Sequence, residues 1–436
     1  MRPSELHFAR YRAFEKPQVI GLPRLTLIIG KNGGGKSVVT RLPMLISGGL
    51  QATAEAPLAL ETGGVFHANR YEDLVFQRSA QPFMLGATIS APEGNVTFYT
   101  TLRHVVETRA LAIEKFDLFQ NGTPFLSIAL SDTLVFAQSD AQYTVGMGHS
   151  PSRGPVAVKF AGLFPTEIAG NSDASATLAR WDSLFREAFA NPCYLGPFRS
   201  ETGALTRVPR QGVRSLGSKG EGALDLLGDD MLRGSGSLAL SVQEWFDKEM
   251  RGNSIILQRD ATFPRILVHD PIRNLDVELS ETGAGFAQLF PVVVQALALR
   301  SGILGSELAI VEQPELHLHP VAHGPVADLI VDTVIHRNGD VRYLVETHSE
   351  QFVSRVRRRV AEGKIAPSHV QIISVGHATD EDDDLEPMRV ITLDRDGTPS
   401  SWPTGVFEEA FDDLKHIRRA IAGRMSEPGK DADPHR

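Results

Sequence analysis

The sequence predicts an α/β fold with a mixed β-sheet core, and three observations indicate it. A glycine-rich segment, 30–37, follows an apolar run at 25–29 and precedes a helical pattern. Two more apolar runs, 307–311 and 342–345, are short enough for buried parallel strands, and a helical pattern follows each of them. Residues from about 84 to 160 instead alternate apolar and polar side chains between turn signals, as antiparallel strands do.

Length and composition exclude several classes of protein. The 436 residues, 42% of them hydrophobic, suffice for two or three domains with a sizeable core. The net charge of −9 argues against a surface that coats nucleic acid, although it is compatible with a local basic groove. A single cysteine, Cys193, rules out a disulfide framework and fits a reducing compartment. Because the sequence shows neither a signal core nor an apolar run of 18 residues, we expect a cytoplasmic protein without membrane contact.

The glycine-rich segment fits G-x-x-x-x-G-K-S, the phosphate-binding loop. Its glycines let backbone N–H groups surround a polyphosphate, and the N-terminus of the following helix adds a favourable dipole. Lys36 is expected to reach the β- and γ-phosphates, and Ser37 to ligate Mg²⁺. The predicted nucleotide-binding residues are Gly30, Lys31, Asn32, Gly33, Gly34, Gly35, Lys36, Ser37 and Val38.

Further elements follow in chain order. Apolar residues at helical spacing predict a helix over 172–190, and the Gly-, Ser- and Arg-rich stretch 200–236 predicts a long loop. A helix near 238–250 and a strand pair over 268–279 come next. The strongly apolar run 286–299 then predicts a buried helix.

A phosphate-binding loop calls for a carboxylate at the end of a buried strand, since Mg²⁺ needs an acidic partner. Glu312 ends the run Leu308–Val311 and is the candidate magnesium ligand, together with Ser37. The alternative is a strand that ends in an ordinary surface glutamate. Given the phosphate-binding loop, we favour the magnesium role.

The order of the motifs resembles the head of an ABC-type ATPase. The glycine turn Gly283-Ala284-Gly285 opens a helix before the strand that ends at Glu312, and His348 follows the next strand. In that architecture two heads enclose two ATP molecules, and the glycine turn of one head meets the γ-phosphate held by the other. The resemblance implies that ATP and Mg²⁺ are bound, that Gly283, Gly285 and His348 belong to the site, and that the chain forms a homodimer, a higher homo-oligomer or a pair with another head.

More specifically, the chain resembles the RecF/SMC-like and OLD-like AAA ATPases that carry a C-terminal DUF3696 module. The matching stretches are GKNGGGKS, YEDLVF, YLGPFR, GSKGEGA, SVQEWF, TGAGFAQLFPVVV, VEQPELHLHP, ETHSE and ITLDRDGTPSSWPTGVFEEAF. The resemblance implies an ATPase domain over 1–376, divided into a lobe with the phosphate-binding loop (1–110), an inserted β and helical region (111–275) and the remaining motifs (276–376). It also implies a DUF3696-like module at 377–424, and residues 425–436 are expected to be a disordered tail.

The resemblance also implies roles for individual residues. Asn32 would arrange Mg²⁺ or a contact with the second head, and Gln77 is the nearest candidate for the glutamine of the Q-loop. Leu316–Pro320 would be the D-loop between heads, and His348 would contact the γ-phosphate. Relatives of this kind act as switches or clamps beside an effector protein encoded next to them, in anti-phage defence or DNA repair.

One position departs from the ABC pattern. Gln313 stands where a carboxylate usually polarises the attacking water, and glutamine can orient water but cannot accept a proton. Glu315 is two residues further on and is the candidate base. Slow hydrolysis that uses Glu315 is favoured over an ATP-latched scaffold that hydrolyses rarely.

Several other features have competing interpretations. Tyr11 and Phe14 are either core residues or a platform for adenine, and His317 and His319 are either D-loop residues or zinc ligands. Asp394-Arg395-Asp396 resembles the D-x-D of a Toprim nuclease, but too little chain surrounds it for that fold. The basic cluster on the helix after His348 either contacts DNA or is a solvated helix face, and the acidic net charge favours the second interpretation; it consists of Arg355, Arg357, Arg358 and Arg359.

Overall fold

The computed structural model describes residues 1–52, 56–131, 141–148, 153–200, 212–250, 254–259, 264–336, 341–376, 387–402 and 406–407. The strands within these ranges, numbered in chain order, are β1 (Arg2–Ala9), β2 (Gln18–Gly21), β3 (Leu25–Gly30), β4 (Glu61–Thr62), β5 (Val65–Phe66), β6 (Phe83–Ala91), β7 (Gly94–Val105), β8 (Ala110–Gln120), β9 (Thr123–Leu130), β10 (Gln142–Met147), β11 (Arg153–Ala161), β12 (Phe164–Ile168), β13 (Cys193–Leu195), β14 (Ser254–Arg259), β15 (Pro264–Asp270), β16 (Leu275–Glu278), β17 (Leu308–Glu312), β18 (Arg342–Glu346), β19 (Val370–Val375) and β20 (Met388–Ile391). The α-helices are α1 (Lys36–Gln51), α2 (Ser172–Ala188), α3 (Ala223–Arg233), α4 (Ser237–Glu249), α5 (Ala284–Ser301), α6 (Pro320–His336) and α7 (Glu350–Ala361).

A six-stranded sheet in the order β13-β17-β18-β3-β19-β20 carries the predicted motifs. Its first five strands are parallel, and β20 pairs antiparallel with β19. In register, Glu312 lies opposite Glu346, and Glu346 lies opposite Ile28 near the end of β3. The carboxyl ends of β17, β18 and β3 therefore meet at one edge of the sheet, where open α/β sheets hold their ligands.

A nine-stranded antiparallel sheet confirms the predicted antiparallel section. Its order is β12-β11-β10-β9-β8-β7-β6-β1-β2, so the first two strands of the chain complete a meander formed much later in the sequence. This sheet continues without a break across residue 110, from β7 to β8. The division of the chain into domains stays a prediction.

Two hydrophobic cores lie on opposite faces of the six-stranded sheet. Ile28 packs in the core that includes α1, α2 and the nine-stranded sheet, whereas Leu27 and Ile29 pack in the core formed by α3 to α7. Both faces of β3 are covered, which is why its sequence is a continuous apolar run. Helix α5 has the length and apolar composition of a membrane span, but 67% of it is buried inside the protein, as in the core helix of a globular domain.

The structure differs from the sequence prediction in two segments. The predicted loop 200–236 contains helix α3, whose apolar residues Leu226 and Leu227 are buried in the core despite the glycines that surround them. The predicted strand pair at 268–279 is a three-stranded sheet, because β14 pairs antiparallel with β15. The acidic segment 380–384 and the tail from 425 lie outside the described residues.

Candidate nucleotide-binding site

The predicted phosphate-binding loop connects β3 to α1, as the sequence indicates. Gly30 has a φ of 139°, and a Cβ atom there would lie 2.0 Å from the carbonyl oxygen of Val375, so glycine is required. Lys36 turns back over the loop, and its Nζ donates to the carbonyl oxygens of Gly30 (2.9 Å) and Lys31 (2.7 Å). Burial lowers the pKa of Lys36, while the charge of Glu346 opposes that shift.

The carboxylate next to the loop serine belongs to Glu346. Ser37 Oγ donates to Glu346 Oε1 at 3.2 Å, and Thr40 Oγ1 donates to Glu346 Oε2 at 3.0 Å. Glu346 is only 2% exposed. Burial and the neighbouring charge of Glu312 raise the pKa of Glu346, while the hydrogen bonds from Thr40 and Ser37 lower it in part. The signal for Glu346 in the sequence is the same as that for Glu312: each is a glutamate at the end of a buried apolar strand.

Glu312 is held by a different set of groups. The guanidinium of Arg41, one helical turn beyond Ser37, donates to both oxygens: Nε to Oε1 at 2.6 Å and Nη2 to Oε2 at 2.8 Å. The hydroxyl of Tyr194 donates to Oε1 at 2.6 Å. These hydrogen bonds turn the Glu312 carboxylate toward Arg41, while Ser37 bonds Glu346. The magnesium role of Glu312 stays a prediction.

The turn after β17 brings Gln313 and Glu315 against the end of β18. Gln313 has a φ of 46°, and its N–H donates to the carbonyl of Glu346 at 2.7 Å. Glu315 is 7% exposed, and its Oε1 accepts from Thr347 Oγ1 (2.8 Å) and the His348 N–H (2.7 Å). Its Oε2 is buried and has no partner among the described residues. Burial raises the pKa of Glu315.

His348 lies on the same edge of the sheet as Lys36. Its side chain is exposed, and both partial burial and the charge of Lys36 lower the pKa of the imidazole. A neutral imidazole can accept a hydrogen bond or donate one to a phosphate oxygen. The structure thus brings together Lys36, Ser37, Glu312, Glu315 and His348, which the sequence placed in three distant segments.

Arg199 also belongs to this region, at the end of β17, although the sequence predicts no role for it. Its Nη2 donates to the carbonyls of Glu312 (2.7 Å) and Gln313 (3.3 Å). Its backbone N–H and C=O pair with the amide side chain of Gln288 on α5, both at 3.0 Å. Burial lowers the pKa of Arg199 to about 10. Arg199 therefore ties α5 to the turn after β17, through its backbone on one side and its guanidinium on the other. Its signal in the sequence is the stretch YLGPFR.

The glycine turn Gly283–Gly285 lies at the N-terminus of α5, and Gly283 itself is exposed. Within the described part of the chain, no side chain caps this helix end. A Cβ atom on Gly285 would lie 2.9 Å from the carbonyl oxygen of His317, so the glycine allows the turn to pack against the predicted D-loop. The backbone N–H groups of the turn are thereby presented on the surface beside Leu316–Pro320.

Other predicted residues lie elsewhere. Asn32 and Gln77 are exposed, and Gln77 has a φ of 53° in a short 3₁₀ segment. Tyr11 and Phe14 are buried around Phe8 in edge-on contacts, which is the core interpretation of these aromatics. The roles predicted for Asn32 and Gln77 stay predictions.

The structure also locates the candidate zinc ligands and the D-x-D motif. The described residues contain no group of three or more His, Cys, Asp or Glu side chains that could hold a metal, and His317 and His319 are both exposed. Asp394 and Asp396 shape a tight turn: the N–H of Gly397 donates to the carbonyl of Asp394, and Asp396 Oδ1 accepts from the N–H of Thr398, both at 3.0 Å.

The arginine cluster on α7 is engaged within the chain. Arg355 and Arg359 both donate to Asp328, and Arg358 donates to Glu362. Arg357 donates to the carbonyl of Gly397 and lies over the ring of Trp402. These contacts favour a structural role for the cluster. DNA binding by this helix stays a prediction.

Comparison with known proteins finds similar chains only among solved structures. No protein-family model matches the sequence, and no curated protein matches it. Three similar solved structures are each 12% identical to this chain. One is an SMC head bound to the C-winged helix domain of ScpA, with a TM-score of 0.49 and coverage of 90% of this chain and 98% of that one. The others are the SMC head domain from Thermotoga maritima, with a TM-score of 0.41 and coverage of 90% and 100%, and a Pyrococcus furiosus SMC head with an extended coiled coil bound to the C-terminal domain of ScpA, with a TM-score of 0.46 and coverage of 96% and 99%. Similarity this low assigns no function to this chain, and the DUF3696 assignment stays a prediction.

Proposed function

We propose that this chain is an ABC-type ATPase that binds ATP and Mg²⁺, dimerises around the nucleotide and acts as a switch or clamp for a partner effector protein. The observation that carries the proposal is the convergence of five side chains at the carboxyl ends of the parallel strands β3, β17 and β18: Lys36, Ser37, Glu346, Glu312 and His348.

The residues at this edge fit a magnesium–triphosphate group. The loop has the glycines and the following helix N-terminus that bind phosphates, and Lys36 supplies a partly desolvated cation beside them. Ser37 and a buried carboxylate would hold Mg²⁺, which neutralises phosphate charge when bound. His348 would contact the terminal phosphate from the side of β18.

Hydrolysis is proposed to be slow and to use Glu315. Glu315 Oε2 has no hydrogen-bond partner among the described residues and would accept the proton from a water admitted to the site with the nucleotide. The raised pKa makes this carboxylate a better base than an exposed one. Gln313 would orient the water. Because Oε1 is already bonded to Thr347 and His348, movement of the segment that carries His348 would alter the position of the base.

Dimerisation around ATP is supported by the exposed, uncapped glycine turn beside the D-loop. A second copy of the chain would place its phosphates against these N–H groups and complete the site. The switch role, an effector encoded nearby and a setting in anti-phage defence or DNA repair follow from the family resemblance and extend this proposal.

The decisive experiment measures ATP binding, phosphate release and molecular mass on the same preparations. Wild type should bind a fluorescent ATP analogue in Mg²⁺, Lys36→Ala should lose binding, and Lys364→Ala, which removes an exposed lysine, should retain it. Glu315→Gln should bind ATP but release no phosphate, and ATP should double the mass of that variant.

Three results would overturn the proposal or part of it. Failure of wild type to bind ATP with or without Mg²⁺ would remove the proposal altogether. Normal phosphate release by Glu315→Gln would exclude Glu315 as the base, and a monomeric mass at high concentration in ATP would remove the dimer.

A further inference from the structure

Two buried glutamates end neighbouring strands at the nucleotide site, and their surroundings differ in charge. Glu312 is 1% exposed and accepts both hydrogen bonds of the Arg41 guanidinium. Glu346 is 2% exposed and accepts hydrogen bonds from two neutral hydroxyls, those of Ser37 and Thr40.

The difference matters because a buried carboxylate needs a counter-charge or a metal ion. Arg41 neutralises Glu312 locally, and the Tyr194 hydroxyl occupies a further lone pair of that carboxylate. The charge of Lys36 acts on Glu346, but Lys36 Nζ donates to the carbonyls of Gly30 and Lys31 rather than to this carboxylate. Glu346 is thus the glutamate whose charge is left for another cation.

Position leads to the same residue. Ser37 is the loop hydroxyl expected to ligate Mg²⁺, and its Oγ lies 3.2 Å from Glu346 Oε1. Mg²⁺ usually takes one or two carboxylates together with waters and substrate phosphates, so a single glutamate next to the serine suffices. Both oxygens of Glu312 are instead engaged by the two-pronged contact with Arg41.

We propose that Glu346, together with Ser37, is the carboxylate that holds Mg²⁺ in this chain, and that Glu312 is a positioning residue fixed by Arg41 and Tyr194. Thr40 orients the Glu346 carboxylate through Oε2. This inference rests on the proposed nucleotide function and moves the magnesium role from the end of β17 to the end of β18.

The test separates metal binding from nucleotide binding. Affinity for a fluorescent ATP analogue is measured in Mg²⁺ and in EDTA, and the ratio of the two affinities reports the metal contribution. Loss of Glu346 in Glu346→Gln should reduce this ratio by about 10- to 100-fold, while affinity in EDTA is retained. Glu312→Gln should keep the ratio within about threefold of wild type, and Glu350→Gln, at an exposed glutamate four residues beyond Glu346, should leave it unchanged.

Bound Mn²⁺, detected by electron paramagnetic resonance in the presence of ATP, gives a second readout. Glu346→Asp shortens the side chain by one methylene and should weaken Mn²⁺ binding even if the glutamine variant does not fold. The inference is overturned if Glu312→Gln loses the Mg²⁺ dependence while Glu346→Gln and Glu346→Asp keep it. Absence of ATP binding by wild type in both buffers would instead overturn the proposed function.

Discussion

The buried ion pair between Arg41 and Glu312 yields a quantitative prediction. Glu312 is 1% exposed, and both of its oxygens accept from the guanidinium of Arg41. Arg41→Met would leave this carboxylate buried without a counter-charge, a change that costs about 3–5 kcal/mol. Because the Arg41 side chain is itself 31% exposed, water can partly replace it, and we expect a loss near the lower limit, about 3 kcal/mol.

The assay is urea-induced unfolding of wild type, Arg41→Met, Glu312→Gln and the double variant. The double variant should be more stable than Arg41→Met alone, since the neutral amide needs no counter-charge and still accepts a hydrogen bond from Tyr194. The matched control is Arg358→Met on α7. Its pair with Glu362 is on the surface, with side chains 61% and 32% exposed, so its loss should lower stability far less than the loss of Arg41.

Two outcomes would refute this reasoning. One is a loss of stability in Arg41→Met no larger than that in Arg358→Met. The other is simple additivity of the two single changes in the double variant, because residues that share a buried ion pair must show a coupling energy.

Three further predictions concern other residues. Tyr194→Phe should lower the free energy of unfolding by about 1.5–3 kcal/mol, because the lost hydrogen bond goes to a carboxylate. Gly30→Ala should abolish ATP binding, since its Cβ would collide with a neighbouring strand. Burial raises the pKa of Glu315 above its usual 4.5, so the folded state binds this proton more tightly than the unfolded chain. Burying the Glu315 carboxylate lowers the free energy of unfolding. This loss is absent below about pH 4.5 and grows as the pH rises toward the folded-state pKa. Glu315→Gln should therefore raise the melting temperature more at about pH 8 than at about pH 5.

The first two predictions each have a control within the chain. Tyr343→Phe removes a buried hydroxyl that donates to the neutral amide oxygen of Gln295, and should cost less, about 0.5–1.5 kcal/mol by urea unfolding. Gly305→Ala places its Cβ in open space and should leave ATP affinity unchanged. A pH-independent difference in melting temperature between Glu315→Gln and wild type would contradict the assignment of the raised pKa.

The sequence by itself determined the elements that depend on neighbours along the chain. Residue type and spacing predict the loop at 30–37, the apolar strands that end at Glu312 and Glu346, and the buried helix α5. The structure confirms these elements. Helix α3 was missed because glycine and serine dominate its surroundings, whereas its core contacts come from distant residues.

Only the tertiary structure decided which groups meet at the site. Strand order places β18 between β3 and β17, and this puts Glu346 rather than Glu312 beside Ser37. Arg41, Tyr194 and Arg199 come from segments far from Glu312 in the chain, so no local pattern could connect them. Spacing along the sequence predicts candidate residues for a nucleotide and its metal, but the direction of each buried side chain is set by partners that the fold brings from elsewhere.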